Sequence, residues 1–341
     1  MIKTARKHLQ EFVQISFPHS EERAKAHLDW QMVTDHHPKA SSEYLLQTID
    51  YHFAYLETAE DCSIVIYEQQ QPIAVWPLTL ITNNDDVILQ SNCKAVLPPL
   101  INPNATKKQI KKIYQQCLTL MKAWYSNHSQ SITLCYVPTE DVLWQRTFAT
   151  FIEKASYQQC LLNDLNGSLT DIQSNFRKSY RSLVNKGKTL WRYELYENMS
   201  DELLEQFRQF HIKVAGKETR NKLTWKTQQA MINSNEAFFI ALYDKENAMV
   251  GAALFNLSPL QASYSVGVYE RSLFDQPLGH IVQYVAIEHM LKLGVNRYYL
   301  GFRHHTFEQP SPNAKESSIG FFKEGFSNQT ELEILAKLVF N

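Results

Sequence analysis

Short apolar runs separated by polar turns dominate the first half of the chain, and their alternation predicts β-strands. Residues 62–68 and 72–81 are rich in β-branched and aromatic side chains, and the three glutamines at 69–71 between them favour a hairpin. Pro77 indicates a bulge or an edge position, because proline has no N–H to donate to a central ladder. A third short strand is expected after the polar turn at residues 83–86.

A long amphipathic helix is predicted after the stiff, proline-rich loop at residues 98–103. Asn104 or Thr106 is expected to cap it, since side-chain oxygens of these residue types accept hydrogen bonds from a helix N-terminus. Apolar residues recur along it at helical spacing: Ile110, Ile113, Cys117, Met121 and Trp124. The pattern then predicts a strand at 131–137, a helix near 139–154 and a strand near 156–164.

The second half repeats this alternation of helices and strands. The predicted helices lie near 175–187, 201–215, 224–233, 279–293 and 314–323. The predicted strands lie near 189–196, 237–243, 249–257, 262–268, 297–301 and 330–339. Helices, then an antiparallel meander, then helix–strand–helix–strand is the order of the GNAT fold. The expected fold class is therefore α/β, with two tandem GNAT-like domains, 1–160 and 161–341, each a mixed, mostly antiparallel sheet flanked by helices.

Length and composition support two ordinary globular domains. The chain has 341 residues, more than one hydrophobic core usually serves, and 44% of them are hydrophobic while 20% are charged. A formal net charge of -1 argues against a protein that coats nucleic acid with its whole surface, so any contact with a polyanion is expected to be local. No DNA partner is expected.

Several features predict a cytoplasmic protein. The basic segment 1–10 lacks the apolar core and cleavage site of an export signal, and no apolar run is long enough for stable membrane insertion. The five cysteines are odd in number and widely spaced, which is typical of buried thiols in a reducing compartment. They are Cys62, Cys93, Cys117, Cys135 and Cys160. Neither a disulfide framework, a zinc site nor a convincing Cys–His pair follows from them.

Residues 175–192 carry a dense positive charge in a nearly neutral chain. On a helix, Arg177, Arg181 and Lys188 are spaced to meet successive phosphates, and Gly187 fits a helix stop. A basic helix that merely faces solvent is equally consistent with the pattern. The sequence therefore offers a phosphate-binding surface and a solvated helix as open alternatives.

A second polar segment, residues 210–225, surrounds Gly216. His211 and Glu218 share a helical face if the helix continues past this glycine, and together with Arg220 they are candidates for holding a polar substrate. The alternative is a helix that ends at the glycine, followed by a charged loop in which Thr224 caps the next helix. His211, Glu218 and Glu288 are the candidates for a general base, and the residues alone do not rank them.

A third segment combines a strand, a histidine pair and a short apolar helix. The strand at 297–301 leads to His304 and His305, for which no third metal ligand has suitable spacing, so no metal site is expected. Gly279 and His280, at the start of a predicted helix, are the nearest approach to a backbone nest for phosphate.

Taken in order, these motifs resemble those of the FemABX aminoacyltransferase family over most of residues 40–326. The carboxyl-terminal motif Ile-x-x-Phe-Lys-x-x-Phe is matched by Ile319, Phe322, Lys323 and Phe326. The Arg-Lys-x-x-Arg helix at 177–181 resembles the family's entry to its second domain. Residues 250–255 with Tyr264 resemble its core hairpin, and residues 72–78 and 98–101 resemble its early sheet.

The resemblance implies transfer of an aminoacyl group from tRNA, or of an acyl group from acyl-CoA, to an amine or hydroxyl. By the match, Lys323 stabilises the tetrahedral oxyanion and Phe322 packs against the end of the donor. Such donors are co-substrates, so no tightly bound cofactor is expected. The implied acceptor is a sugar-nucleotide or a glycan or peptidoglycan precursor, with tRNA as a further possible partner.

Two departures from the family leave the donor open. The second half has no heptad stretch for the long helical hairpin of many tRNA-dependent members, and it lacks the glycine-rich pyrophosphate loop of acetyl-CoA-dependent enzymes. The alternatives are a non-catalytic protein that binds a glycan precursor or another partner, and an acetyl-CoA-dependent N-acetyltransferase. Both a monomer and a homodimer fit the sequence.

Overall fold

The computed structural model describes residues 15–16, 23–56, 59–83, 86–128, 132–308 and 311–340. The described chain divides into two compact units. The first comprises Met1–Gln158 together with Leu332–Asn341, and the second is the continuous stretch Gln159–Glu331. The last residues therefore belong to the first unit, whereas the sequence-based division assigned everything after residue 160 to the second domain.

The described residues of the first unit form four α-helices and short strands. Its helices are α1 (Arg23–Thr34), α2 (Leu46–Tyr55), α3 (Lys107–His128) and α4 (Val142–Phe148). Its strands are β1 (Ile15–Ser16), β2 (Ala59–Asp61), β3 (Ile64–Glu68), β4 (Gln71–Trp76), β5 (Thr79–Asn83), β6 (Asp86–Gln90), β7 (Leu100–Ile101), β8 (Ile132–Tyr136) and most of β15 (Gln329–Leu338).

These strands form one antiparallel sheet in the order β1-β3-β4-β7, another in the order β2-β5-β6, and the antiparallel pair β8–β15. The predicted hairpin is present as β3 and β4, and Pro77 lies in the break between β4 and β5, where no N–H is needed. Thr106, not Asn104, caps α3, because its hydroxyl accepts from the Gln109 N–H while the Gln109 side chain accepts from Thr106.

One expectation for this unit was wrong, and two helices were missed. The helix expected near 139–154 spans only Val142–Phe148, where the buried Trp144 ring contacts those of Tyr114 and Phe148. A 3₁₀ turn at Ala149–Phe151 then leads into β9 (Ile152–Asp164). Helices α1 and α2 were not predicted at all, because their polar and apolar residues mix without a clear stripe. The turn at residues 83–86 lies partly outside the described residues.

In the second unit, the part of the chain that the structure describes forms six α-helices: α5 (Leu169–Ser174), α6 (Lys178–Leu190), α7 (Asp201–Ala215), α8 (Lys222–Asn233), α9 (Leu278–Lys292) and α10 (Ala314–Glu324). Its strands are the end of β9 together with β10 (Arg192–Tyr196), β11 (Ala237–Tyr243), β12 (Met249–Leu257), β13 (Gln261–Tyr269) and β14 (Arg297–Arg303). They form a sheet in the order β10-β11-β12-β13-β14-β9, antiparallel except between β13 and β14.

Alternate residues of β11 divide this sheet into two faces. Phe238, Ile240 and Leu242 belong to the core formed with α6 and α9, which we call the α9 face. Phe239 points the other way and packs 4.8 Å, ring to ring, from Phe207 of α7, on what we call the α7 face. Because successive side chains of a strand alternate, residues on these helices lie on opposite sides of one sheet.

Gly187 has a different role from the predicted helix stop. Helix α6 continues three residues further, to Leu190, and a Cβ at position 187 would lie 2.9 Å from the Cβ of Ile281 on α9. The glycine therefore permits the close approach of α6 to α9. Among the described residues, no helix is long and apolar enough to cross a membrane.

Candidate active site

Lys323 lies near the end of α10, and its ammonium packs against the backbone of β14. The helix begins at a capping box made by Asn313 and Glu316, which fixes its first turn. Gly301 of β14 has φ +119, and a Cβ at that position would overlap Lys323 Nζ. A glycine is therefore required at 301 both for its backbone conformation and for the space that the ammonium occupies.

The Lys323 ammonium is half-buried and has no anionic partner within the described part of the chain. Burial lowers the pKa of Lys323 to about 8. Its Nζ lies 5.4 Å from the ring centroid of Tyr264, and no carboxylate among the described residues is within ion-pair distance. The neighbouring Glu324 instead pairs with Arg177 at 3.5 Å and with Arg303 at 3.3 Å. A half-buried cation without a partner is costly for the fold, and such groups concentrate at functional sites.

Aromatic rings and one imidazole surround the base of this site. The His280 ring meets Tyr180 edge-on at 4.5 Å and Phe322 at 5.2 Å. Burial, and next the charge of Arg177, lower the pKa of His280 to about 4, so the imidazole is neutral near pH 7. A Cβ at Gly279 would lie 2.8 Å from the Phe322 ring, so the first turn of α9 packs closely on that ring.

The two strands beside Lys323 separate from each other, leaving what we call the strand gap. Strands β13 and β14 pair in parallel only where Gln261–Ser263 meets Arg297–Tyr299, within the described chain. The gap lies between Tyr264–Tyr269 of β13 and Leu300–Arg303 of β14. Because the outer edges of these strands bond to β12 and β9, the backbone groups that face the gap are available to an extended ligand.

Lys323 and Tyr264 border the strand gap, Lys323 on the side of β14 and Tyr264 on the side of β13. The ammonium contacts Gly301 on β14, while the Tyr264 ring below it stacks on Phe255 at 5.3 Å. The Tyr264 hydroxyl lies 3.0 Å from that of Tyr269, and burial raises the pKa of Tyr264 to about 12, so it stays protonated. The site thus offers one cation and hydroxyl groups beside unpaired backbone.

The basic residues of α6 make several contacts within the unit. Arg177 donates to the Tyr180 hydroxyl at 3.0 Å and to the Phe321 carbonyl at 3.1 Å, and its guanidinium lies 3.7 Å from the Phe321 ring centroid. Arg181 donates to the Ser174 carbonyl at 3.3 Å and is exposed. Arg177 therefore joins the start of α6 to α10, close to the lysine.

Lys188 lies at the other end of α6. Its Nζ is 3.7 Å from the centroid of the Tyr284 ring on α9. Eleven residues separate it from Arg177, which corresponds to roughly 16 Å along a helix. The three basic residues do lie along this segment, where Arg177 also contacts α10 and Lys188 also contacts α9. Their binding of phosphate stays a prediction.

The structure places His211, Glu218 and Arg220 away from this group, on the α7 face. His211 lies between the rings of Phe207 and Trp225, and its Nε2 is 3.0 Å from Nη1 of Arg220. Burial and the charge of Arg220 lower the pKa of His211 to about 4. Within the described residues, its contacts are with this cluster and not with Lys323.

The helical face predicted to join His211 to Glu218 does not form. Helix α7 ends at Ala215, because Gly216 adopts φ +76 at its C-terminus. The Glu218 carboxylate is on the loop beyond and accepts from Arg208 Nη1 at 2.6 Å. Asn221, rather than Thr224, caps α8.

Sequence reasoning missed three contributors to the lysine site. Tyr180 and Glu324 were not considered as site residues, although both contact Arg177. The contact between Gly301 and Lys323 joins a strand to a helix that follows it in the chain. Nothing in the sequence signalled this contact, because the φ of +119 that requires a glycine at 301 is not visible in a sequence.

Comparison with solved structures shows which class of fold this is. A tandem GNAT protein from the clavulanic acid biosynthesis pathway has a TM-score of 0.53 at 10% identity, covering 96% of this chain and all of that one. The predicted fold class, two tandem GNAT-like domains, is thereby confirmed.

The resemblance to the FemABX family is confirmed at the level of the fold. The crystal structure of FemX matches with a TM-score of 0.66 at 11% identity, over 92% of this chain and 95% of that one. L-PGS from Bacillus licheniformis matches with a TM-score of 0.57 at 11% identity, over 94% and 92%. No family model matches this sequence, and no curated protein matches it. The likeness at such identities concerns the fold alone.

Proposed function

We propose that this protein is an acyltransferase or aminoacyltransferase in which the Lys323 ammonium stabilises the tetrahedral oxyanion. The observation that carries the proposal is a half-buried cation that has no anionic partner among the residues the structure describes and lies at the strand gap beside Gly301 and Tyr264. An amine or hydroxyl that attacks an ester or thioester carbonyl produces a negative oxygen. A fixed positive charge at that point favours the transition state over the ground state.

The strand gap is suited to the donor. Amide groups of an extended carrier can bond to the free backbone groups of β13 and β14, which would place the reactive carbonyl beside Lys323. Phe322 offers an apolar surface next to the ammonium, and Arg181 offers a charge for a donor or acceptor phosphate. Aminoacyl-tRNA and acyl-CoA both supply such a carbonyl and such phosphates.

The fold comparisons support this class of reaction, since the similar structures carry the names FemX, L-PGS and tandem GNAT protein. The acceptor that we propose is an amine or hydroxyl of a sugar-nucleotide, glycan or peptidoglycan precursor. We propose that donor and acceptor meet in the cytoplasm, and that no cofactor remains bound between turnovers. For the proton of the attacking group, His211, Glu218 and Glu288 were the candidates from the sequence; His211 and Glu218 lie on the α7 face, away from Lys323, so the base stays unassigned in this proposal.

Deleting the gene and comparing cell-envelope precursors by mass spectrometry tests the proposal. An acyl or aminoacyl increment should disappear in the deletion strain and return with the wild-type gene. It should not return with Lys323→Met, since removal of one oxyanion donor typically lowers kcat by about 10²–10³-fold. Lys315→Met, which removes an exposed lysine from the same helix, is the matched control and should restore the increment.

The second candidate is a protein that binds a glycan precursor without catalysis. If the precursors of the deletion strain are identical to those of the parent, and the purified protein still binds one of them, this candidate replaces the enzyme. Dependence on coenzyme A is tested separately by calorimetry and melting temperature. No heat of binding and no shift at millimolar coenzyme A would exclude it as the donor carrier.

A further inference from the structure

A second group of reactive side chains lies in the first unit, far along the chain from the lysine site. The Cys93 Sγ is 3.0 Å from Nδ1 of His52, and Nε2 on the other side of that ring is 3.7 Å from Glu43 Oε2. The sequence offered no convincing Cys–His pair, because these residues are 41 positions apart. A thiol, an imidazole and a carboxylate are thus arranged in series.

The arrangement is that of a nucleophile, a base and an orienting acid rather than that of a metal site. The thiol and the carboxylate face different nitrogens of the His52 ring, so one ion cannot bind all three groups. Among the described residues, no cluster of three such side chains could hold a metal. In a catalytic triad, by contrast, each imidazole nitrogen must face a different partner.

The turn that carries Cys93 is held rigidly. Ser91 and Lys94 exchange backbone hydrogen bonds of 3.1 and 3.0 Å, which places Asn92 and Cys93 at the tip of a two-residue turn. Asn92 has φ +57 and is fully buried, and its amide donates to the Glu43 carbonyl at 3.0 Å. An exposed cysteine next to a left-handed residue on an anchored turn resembles the presentation of a nucleophile.

The charges around the group suit transfer of a proton from sulfur to the ring. Burial, which acts to raise the pKa of Glu43, is outweighed chiefly by Lys94, whose Nζ lies 2.8 Å from Glu43 Oε1, and that pKa falls to about 2, so the carboxylate is charged. Burial lowers the pKa of His52, which leaves the ring neutral and able to accept a proton. Burial and Glu43 raise the pKa of Cys93 to about 11, so the thiol is protonated at rest.

We propose that Cys93, His52 and Glu43 form a second reactive centre, in which the thiol accepts an acyl group from an activated ester or thioester. The sulfur attacks the carbonyl carbon, and its proton passes to His52 Nδ1 as the sulfur–carbon bond forms. The bond from that carbon to the leaving oxygen or sulfur then breaks, and the leaving group takes the proton from His52. Glu43 stabilises the imidazolium in between, and water releases the acyl group by the reverse roles.

The test uses the purified full chain and p-nitrophenyl acetate at pH 7. In samples quenched with acid while the reagent is still in excess, intact mass and peptide mapping should find an acetyl group on Cys93, and Cys93→Ser should abolish it. His52→Gln should slow the acetylation by about 10²-fold, the usual contribution of a general base. Cys62→Ser is the matched control, since Cys62 is half-buried outside this group, and it should leave the rate unchanged.

A second measurement separates loss of the base from loss of the fold. Iodoacetamide should alkylate the wild-type Cys93 faster than the His52→Gln variant at pH 7, and the difference should vanish as the pH approaches 11, where the thiolate forms without help. The proposal is overturned if Cys93 reacts equally fast in both at pH 7. It is also overturned if p-nitrophenyl acetate leaves Cys93 unmodified while peroxide oxidises it, because the centre would then be a redox site.

Discussion

The two faces of the second unit's sheet each hold a neutral histidine among aromatic rings beside a cation. On the α7 face, His211 and Arg220 contact each other directly at 3.0 Å, and Phe207 and Trp225 enclose them. On the α9 face, His280 lies among rings as well, but the nearby Lys323 has no anionic partner within the described residues and borders the gap where β13 and β14 no longer pair with each other.

This difference indicates on which face a ligand would gain more binding free energy. On the α7 face, Arg220 already contacts His211, whereas Arg220 Nε and His211 Nδ1 have no hydrogen-bond partner within the described residues, and a ligand would have to enter between packed aromatic rings to reach them. The Lys323 ammonium on the α9 face has no anionic partner in the described chain, so an oxyanion bound there would supply the missing ion pair. A pKa shift alone does not distinguish the two faces, since both histidines have a pKa of about 4.

The largest effect is expected on stability as a function of pH. The pKa of Lys323 falls from 10.5 to about 8 in the folded state, so folding disfavours the charged form. This cost is fully present below pH 8 and disappears as the pH rises through 10.5. Lys323→Met should therefore be more stable than the wild type at pH 7, by up to about 3 kcal/mol, and equally stable near pH 11.

Urea unfolding of the two proteins at a series of pH values measures this difference, with Lys315→Met as the control that should follow the wild type. A Lys323→Met variant that is less stable at pH 7 would mean that the ammonium contributes to the fold. The contrast between the two faces would then be lost.

A substitution at Gly301 tests whether the position of the Lys323 ammonium matters, because it displaces the ammonium without removing it. Gly301→Ala places a Cβ where Lys323 Nζ lies and strains a backbone at φ +119, so we expect roughly tenfold lower transferase activity and a loss of about 1–3 kcal/mol. Gly294→Ala is the matched control, because position 294 has φ +76 but open space around it. It should lose stability and keep activity. Equal activity in both variants would contradict the placement of Lys323.

The smallest effect is expected on the α7 face. If His211 serves only the packing of Phe207 and Trp225, His211→Leu should change transferase activity by less than about threefold, because an apolar side chain can fill its place. A general base contributes about 10²-fold or more. A loss of that size, measured on folded protein, would confirm His211 as the predicted base and remove the functional division between the faces.

Strong local patterns made much of the second unit predictable. Helix α7 and strands β11 and β12 have the predicted bounds, because their apolar periods are long and end at turn residues. The glycine at 187 was misread, since its reason is the close approach of Ile281 from a distant helix. The capping of α8 by Asn221 depended on a choice between two good capping residues.

The candidate sites were predictable only where one short motif carries them. Lys323 and Phe322 share a motif, so the sequence pointed to them directly. The pairs Gly301–Lys323 and Cys93–His52 come together through the tertiary fold, and residue type and spacing hold no record of such contacts. Both sequence alternatives for residues 210–225 depended on whether the helix passes Gly216, which the conformation of that glycine decides.

The return of β15 to β8 has a consequence for how the chain matures during synthesis. Cys135 and Glu333, which meet across these strands, are 198 residues apart, and the whole second unit is translated between them. The second unit is continuous and can fold as soon as it leaves the ribosome, whereas the first must wait for its closing strand. We therefore expect β8 to spend this interval with an open edge, exposed to chaperones and to mispairing.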